Sequence, residues 1–292
     1  MLWFSIALLS SFLSAFAAIT QKKVLLKRDP LEFSFLLSAV NLLFSVPFFF
    51  FIDYRTINSA NMIVLFVKSV LGVGAFLCVM TALKNLEISR ALPLLALTPG
   101  FVAVFAFFLL GESLAISEIA GLVLLTAGTY ILESKNLKDF STPLSLFLTS
   151  KVHRIILLAL LLFTASSILD KVLLIKLNLT PVALTGIQHL WFALLFGAVF
   201  LLKSNSNGIK FSKPILYDAG WISLISILTI GYRFTQVLAV NLASVALVLS
   251  VKRTSVLWAT LIGGKIFKET QLLKRIIAVC FILAGLLLIL RE

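Results

Sequence analysis

Long apolar runs, separated by short polar or Gly/Pro-containing turns, dominate the pattern of this chain. Each run is about 20 residues long, the length that an α-helix needs to cross a bilayer core of about 30 Å. Backbone groups inside a membrane must be satisfied within helices or closed barrels, and these runs are too continuous for the alternating strands of a barrel. The pattern therefore predicts an all-α membrane protein with ten transmembrane helices.

The first run has Ala15 and Ala17 where a signal peptide would have its cleavage site, but it lacks a basic segment before its apolar stretch. It also has a counterpart in the second half, so we expect it to be the first spanning helix. The ten predicted spans are Met1–Thr20, Phe33–Ile52, Asn61–Ala82, Ile88–Leu110, Ala115–Leu132, Ile155–Lys171, Val182–Leu202, Tyr217–Val240, Ser244–Ile266 and Leu272–Leu290.

The order of features predicts that one five-helix unit occurs twice. A shift of 157 residues, the separation of Glu112 and Glu269, places Gly128 on Gly285. In each copy an apolar helix, one acidic residue at a polar break and a second apolar helix ending in Ala-Gly follow one another. With an odd number of spans per copy, the second copy enters the membrane from the opposite side, a plan known from transporters. The predicted units are repeat 1 (1–136), a connector (137–151) and repeat 2 (152–292).

Polar residues within the spans fall on single helix faces. In the second span they recur at i, i+4, i+7 and i+11: Ser34, Ser38, Asn41 and Ser45. Similar stripes occur in the seventh span (Thr185, Gln188, His189) and in the eighth (Thr229, Tyr232, Arg233, Gln236). The serine stripe is explained equally well by hydrogen bonds between helices and by a wet interior. For Arg233 and His189 a wet interior is favoured, because ionisable groups rarely face lipid.

Composition agrees with a membrane protein, since 61% of the residues are hydrophobic, 13% are charged and the mean hydropathy is +1.12. The net charge of +13 would suggest nucleic acid for a soluble protein. Here Lys and Arg gather at helix ends, where they set orientation, and we expect no nucleic-acid partner. Cys78 and Cys280 lie inside apolar runs without metal-ligand spacing.

Lys252 and Arg253 are the strongest functional candidates, because they lie near the middle of the predicted ninth span. Each charge at that depth costs about 2.5–3.5 kcal/mol, and no acidic residue is close in sequence. With Arg233, His189 and Lys68 they would line a cavity suited to carboxylate or phosphate groups. The alternative is that Asp170 or a helix end neutralises them. The candidate substrate-binding residues are Lys252, Arg253, Arg233, His189, Gln188, Tyr232, Gln236 and Asn41.

A further pattern consists of Ser89-Arg90-Ala91-Leu92-Pro93, then Pro99, Gly111-Glu112, Gly121 and Gly128. It resembles EamA-type proteins of the drug/metabolite transporter superfamily. The second copy keeps Glu269 and Gly285 but has Lys268 and Ala278 where the first has glycines. The resemblance implies ten helices in two inverted repeats, alternating access, and a central cavity lined mainly by the first four helices of each half. The fifth helix of each half would be peripheral or an oligomer contact.

Two finer resemblances concern the solute. The Lys252-Arg253 pair, and more loosely His189, resemble the phosphate-contacting residues of the plastid sugar-phosphate translocators of the same superfamily. Small multidrug exporters use a carboxylate in their first helix, whereas Met1–Thr20 contains no charged side chain. Export of hydrophobic cations in exchange for protons is therefore disfavoured.

Four residues are expected to act in gating or structure. Pro93 and Pro99 are predicted to bend the fourth helix. Glu112 and Glu269 lie at turns next to helix starts, where a carboxylate is electrostatically favourable, and we expect them to be structural.

Together these observations predict a multi-pass secondary transporter or exporter in the plasma (inner) membrane, for a small polar anionic or zwitterionic metabolite. Organic acids, amino acids and phosphorylated metabolites all remain candidates. An intramembrane enzyme or a transport-inactive scaffold is the alternative, although the sequence has no HExxH or GxSxG motif. The expected partners are the solute and the lipid bilayer, with a coupling ion or counter-solute and a homo-oligomer left open. No cofactor and no metal are expected.

Orientation is predicted differently by two arguments. Most Lys and Arg residues fall in the odd-numbered connections, which by the positive-inside rule puts both termini outside. The family resemblance instead implies that both termini are inside.

Overall fold

The computed structural model describes residues 2–86, 95, 98–111, 115–133, 150–207, 214–266 and 272–289. Within these ranges every regular element is helical and no strand occurs. The first half contains α1 (Leu2–Leu25), α2 (Pro30–Phe50), α3 (Ser59–Asn85), α4 (Thr98–Leu110) and α5 (Ile116–Glu133). The second half contains α6 (Lys151–Lys171), α7 (Pro181–Asn207), α8 (Ala219–Leu242), α9 (Val245–Arg253) and α10 (Leu272–Ile289).

Seven of the described segments are long and apolar enough to cross a membrane. They are α1, α2, α3, Lys151–Lys176, Pro181–Lys203, Leu216–Leu242 and Val245–Ile266, while α4 and Ile116–Gly128 are shorter apolar helices. These findings confirm the prediction of an all-α, multi-pass membrane protein. The number of ten spans stays a prediction.

Local sequence explains where several helices begin and end. Asp29 caps α2 by accepting a hydrogen bond from the Leu31 amide at 2.9 Å, and Pro30 occupies the first helical position. Asn58 and Asn61 form a reciprocal capping box at the start of α3. Gly111 follows α4 with φ of +71°, a left-handed conformation that glycine adopts without strain.

Helices of the first half pack mainly against helices of the second half: α1 on α8, α2 on α7, α3 on α6 and α5 on α10. Two apolar clusters close the bundle at opposite ends. One contains Leu25, Phe33, Leu83, Ile156 and Ile222, and we call this the Arg28 end. The other, the Ile52 end, contains Ile52, Leu65, Leu173, Leu184 and Val240. Polar side chains are concentrated between the two clusters.

A buried ion cluster joins the two halves at the Arg28 end. The Arg28 Nε atom lies 2.9 Å from Asp218 Oδ2, and its guanidinium also contacts Glu32 and donates to the Pro214 carbonyl oxygen at 2.8 Å. Lys84 Nζ donates to the Arg28 carbonyl oxygen at 2.9 Å. The arginine therefore has charged and neutral acceptors around it, which is the condition for burying a cation.

The predicted ninth span is present, but it is not the continuous helix that we expected. Regular helix ends at Arg253, a turn follows at Thr254, and the span continues as Ser255–Trp258, a π-helical turn (Ala259–Gly263) and Gly264–Ile266. The Thr254 hydroxyl donates to the Val251 carbonyl oxygen at 2.8 Å and lies 2.7 Å from the Ser11 hydroxyl of α1. Hydroxyl bonds back to the helix favour such a break, and π-helical turns frequently accompany functional sites.

Candidate functional site

A cavity of about 130 Å³ lies between the two apolar clusters and is lined by six helices: α2, α3, α6, α7, α8 and α9. All eight residues that the sequence proposed for substrate binding are on its wall: Lys252, Arg253, Arg233, His189, Gln188, Tyr232, Gln236 and Asn41. The polar stripes of separate helices therefore converge on one space, although their role in binding stays a prediction.

Asp170 of α6 is the centre of an ion network beside this cavity. Its carboxylate oxygens lie 2.6 and 2.7 Å from Arg233 Nη2 of α8, and its Oδ1 lies 3.1 Å from Lys68 Nζ of α3. All three helices contribute one charge, and the side chains of Asp170 and Lys68 are almost completely buried. A buried carboxylate shared by two cations is held by attraction from both.

Gln188 of α7 holds the other edge of Arg233. Its Oε1 atom accepts hydrogen bonds from Arg233 Nε at 3.1 Å and from Nη2 at 3.0 Å. Asp170 and Gln188 together therefore hold the guanidinium through Nη2 and Nε.

Lys252 and Arg253 lie on the same wall without a carboxylate partner among the described residues. Lys252 Nζ donates to Gln236 Oε1 and lies 4.7 Å from the centroid of the Tyr232 ring, a cation–π arrangement. Arg253 Nη2 donates to Thr98 Oγ1 of α4 at 3.0 Å. Both cations lie directly before Thr254, where the regular α-helical pattern of the span is interrupted.

In the sequence analysis, Asp170 was an alternative counter-charge for Lys252 and Arg253, but its ion pairs in the structure are with other residues. In the described part of the chain the ion pairs of Asp170 are with Arg233 and Lys68. The polar partners that we find for Lys252 and Arg253 are neutral, so their charge is left to be balanced by something else in the cavity.

In the described part of the chain, the serines of the α2 stripe bond to their own helix. Ser34, Ser38 and Ser45 each donate to a carbonyl oxygen of α2 itself, at 2.7, 2.8 and 2.9 Å. Ser34, Ser38 and Asn41 line the cavity, and Ser45 does not.

Asn41 and His189 are buried on the cavity wall with unused hydrogen-bonding atoms. Asn41 Oδ1 and both ring nitrogens of His189 have no partner in the described protein. Both side chains are thus available to a bound molecule.

Several contributors were absent from our candidate list. Asp170 follows Ser166 and Ser167 on one face of α6, and a carboxylate inside an apolar span is itself a functional indication. The aromatic wall of Phe76, Phe163, Phe192 and Phe196 carried no such indication, because the chain has 26 phenylalanines.

The predicted gating residues are placed as follows. Pro93, Glu112 and Glu269 lie outside the described residues. Pro99 is buried and occupies the first turn of α4 as described, a position that tolerates proline. The predicted bend of the fourth helix stays a prediction.

Fold and cavity define a polytopic α-helical membrane protein with a cation-lined chamber. Residues 1–134 match the model of the EamA-like transporter family. This match supports the resemblance to EamA-type proteins of the drug/metabolite transporter superfamily. No curated protein matches the sequence significantly.

One solved structure, described only as the crystal structure of a protein, has the same fold at a TM-score of 0.70. It is 15% identical in sequence, and the match covers 98% of this chain and 94% of the other. At that identity the likeness concerns the fold alone.

Proposed function

We propose that the protein is a secondary transporter of small anionic or zwitterionic metabolites in the plasma membrane. The observation that carries the proposal is the placement of Lys252 and Arg253 on the wall of a buried cavity without carboxylate partners among the described residues. Charges at membrane depth are costly unless they have a function or a counter-charge, and a transported anion would supply that counter-charge.

The charge of the cavity favours an acidic solute. Arg233, Lys252 and Arg253 line it, and Lys68 lies behind Asp170, which is the one carboxylate among the described lining residues. Cations therefore outnumber carboxylates, and the low-polarity surroundings strengthen their attraction for an anion. Organic acids and phosphorylated metabolites meet this requirement, and so does the carboxylate of an amino acid.

Ten spans in two inverted repeats are part of the proposal, and two sets of contacts support them. Lys22 of α1 donates to the Leu83 carbonyl oxygen and, at 2.8 Å, to that of Leu86 at the end of α3. Lys171 of α6 donates to the carbonyl oxygens of Val240 at 3.0 Å and Ala243 at 2.6 Å at the end of α8. These acceptors are related by the same shift of 157 residues that relates Glu112 to Glu269. In each half, therefore, a lysine of the first helix donates to carbonyl oxygens at the end of the third helix.

The α5–α10 pair provides the second set. A Cβ atom at Gly128 would lie 2.8 Å from the Ala278 carbonyl oxygen, and one at Gly285 would lie 2.7 Å from that of Gly121. Positions 121 and 278 are separated by 157 residues, as Gly128 and Gly285 are. The contact of Gly128 with position 278 is therefore equivalent to the contact of Gly285 with position 121. Reciprocal contacts of this kind are expected from a pseudo-twofold axis between repeats.

The arrangement supports alternating access as the transport mechanism. The cavity lies between apolar clusters at the Arg28 end and the Ile52 end, and both clusters contain residues of the two halves. Loosening one cluster while the other stays packed would expose the cavity to one side of the membrane at a time.

Uptake into proteoliposomes tests this proposal. Purified protein is reconstituted, and uptake of labelled organic acids, phosphorylated metabolites and amino acids is compared with protein-free vesicles. We expect saturable uptake of at least one acidic solute and none of hydrophobic cations. Uptake of hydrophobic cations with no acidic solute transported would contradict the proposal.

A further inference from the structure

Three side chains on the cavity wall, Asn41, His189 and Thr229, combine deep burial with unused hydrogen-bonding atoms. Asn41 is 5% exposed and His189 is 4% exposed. Asn41 Oδ1, His189 Nδ1 and His189 Nε2 have no partner among the described residues. They come from α2 and α7, which pack against each other across the boundary between the halves.

Unpaired groups of this kind are rare, because buried polar atoms in folded proteins almost always form hydrogen bonds. Their neighbours follow the rule: Gln188 accepts from Arg233, and Gln236 accepts from Lys252. Asn41 and His189, together with Thr229 Oγ1 and Arg253 Nε, are thus unsatisfied on this wall among the described residues, which indicates that their partner is a molecule in the cavity.

The chemistry of these atoms specifies what that molecule must offer. An amide oxygen accepts only, and a neutral imidazole has one donor and one acceptor nitrogen. An ionised carboxylate or phosphate group accepts only, so it matches Lys252 and Arg253 but leaves Asn41 Oδ1 without a donor. A hydroxyl group both donates and accepts, and it satisfies either side chain.

An ammonium group would also donate, but its position would be unfavourable. Arg233, Lys252 and Arg253 share the same wall, and Asp170 is already engaged by Arg233 and Lys68. A further positive charge would be repelled there, whereas a hydroxyl group is neutral.

We propose that the cavity selects small anions that also carry hydroxyl groups, such as hydroxy acids, over anions of equal charge and length without them. This inference rests on the proposed function and narrows its solute class. It assigns the acidic group to Lys252 and Arg253, and the hydroxyl group to Asn41 and His189.

Calorimetric titration of the purified full chain tests the inference with a matched four-carbon series: succinate, malate, tartrate and aspartate. A parallel pair, propyl phosphate and glycerol 3-phosphate, replaces the carboxylate by a phosphate. We expect the dissociation constant of malate to be roughly five- to tenfold lower than that of succinate, the effect of about one net hydrogen bond. If phosphate is the acidic group, glycerol 3-phosphate should bind more tightly than propyl phosphate by a similar factor.

The hydroxyl preference is overturned if the members of each pair bind within twofold of each other, or if aspartate binds more tightly than malate. If no member of either series binds, both the inference and the anionic solute class fail. If all bind without preference and Lys252→Gln weakens them equally, only the inference fails.

Variants of Asn41 and His189 test which side chain causes the preference for hydroxyl groups. Asn41→Leu, close in shape and without polar atoms, should weaken malate binding more than succinate binding and so bring the two dissociation constants within twofold of each other. Ser45→Ala, on the same stripe but outside the cavity wall, is the matched control and should keep the wild-type preference. A preference that persists in both Asn41→Leu and His189→Phe would overturn the assignment.

Discussion

At the scale of single residues, the charged side chains at the cavity differ in the number of ion-pair partners that each has. Asp170 contacts both Lys68 and Arg233, whereas Lys68 has Asp170 as its only ion-pair partner in the described ranges. Removal of one partner from a buried pair is costly because it leaves the other charge uncompensated. The two members of the Lys68–Asp170 pair should therefore differ in how much the protein depends on them.

Asp170→Asn should destabilise the protein by about 3–5 kcal/mol, because it strands a fully buried lysine. Lys68→Met should cost clearly less, since Asp170 keeps Arg233 at 2.6 Å. The combined Lys68→Met/Asp170→Asn variant should recover part of the loss. Thermal unfolding in detergent measures all three, with the exposed Asp53→Asn as control. Equal losses for Asp170→Asn and Lys68→Met would show that Asp170 is not shared.

The sequence predicts the position of a single residue best where its charge would be costly in the membrane. Lys252, Arg253 and Arg233 were expected away from lipid because charges there are costly, and all three line the cavity. The network around Asp170 could not be predicted, because it joins α3, α6 and α8 across 63 residues of sequence or more. Nor could the aromatic wall be distinguished from phenylalanines that face lipid.

At the scale of helices, the two lysine contacts at the ends of α3 and α8 stabilise groups that a helix cannot satisfy itself. The last carbonyl oxygens of a helix have no partner within it. Lys22 supplies donors for two of them in α3, and Lys171 does the same in α8.

Lys22→Met and Lys171→Met should each destabilise the protein by about 1–3 kcal/mol, because carbonyl oxygens lose their donor. Hydrogen–deuterium exchange should rise locally, near Leu86 in the first variant and near Ala243 in the second. Lys176→Met, an exposed lysine, should leave exchange unchanged. A rise spread over the whole chain in either variant would contradict a local cap.

The α5–α10 contact yields a second prediction for helices. Gly128→Ala and Gly285→Ala should each destabilise the protein by about 1–3 kcal/mol, because the new methyl group would meet backbone atoms closer than 3 Å. Gly100→Ala is the matched control in α4, since a Cβ there meets nothing within 4 Å. Thermal unfolding of the three variants measures the effect, and a neutral result at both Gly128 and Gly285 would refute the close contact.

Hydropathy predicted the existence of the helices well and their limits less well. The predicted span Asn61–Ala82 became Ser59–Asn85, since polar ends that cap or extend a helix do not add hydropathy. Hydropathy could not predict the irregular stretch that begins at Thr254, because every residue around it is compatible with a continuous apolar helix.

At the scale of the whole molecule, several cations that argued for orientation have structural partners. Lys22 binds helix-end carbonyl oxygens, Arg28 belongs to a buried ion cluster, and Lys84 binds the Arg28 carbonyl oxygen. They serve the fold at the Arg28 end and are weak indicators of sidedness. Of these three cations, Arg28 is paired with the carboxylates of Glu32 and Asp218, whereas Lys22 and Lys84 bind neutral carbonyl oxygens.

The bundle as a whole brings the two halves together around a single cation-lined space. Helices of opposite halves pair throughout, so the cavity wall is formed from both. The central claim is that Lys252 and Arg253 serve a solute in that space and are not needed for the fold.

Counterflow of the transported acid in proteoliposomes tests this claim most directly. The double variant Lys252→Gln/Arg253→Gln should fold normally by thermal unfolding and lose at least 90% of the flux, an estimate of roughly tenfold for the loss of two charge-assisted contacts. Arg55→Gln/Lys176→Gln, which removes two exposed cations outside the cavity, should keep wild-type flux. Unchanged flux in the cavity variant, or an equal loss in the control variant, would contradict the account.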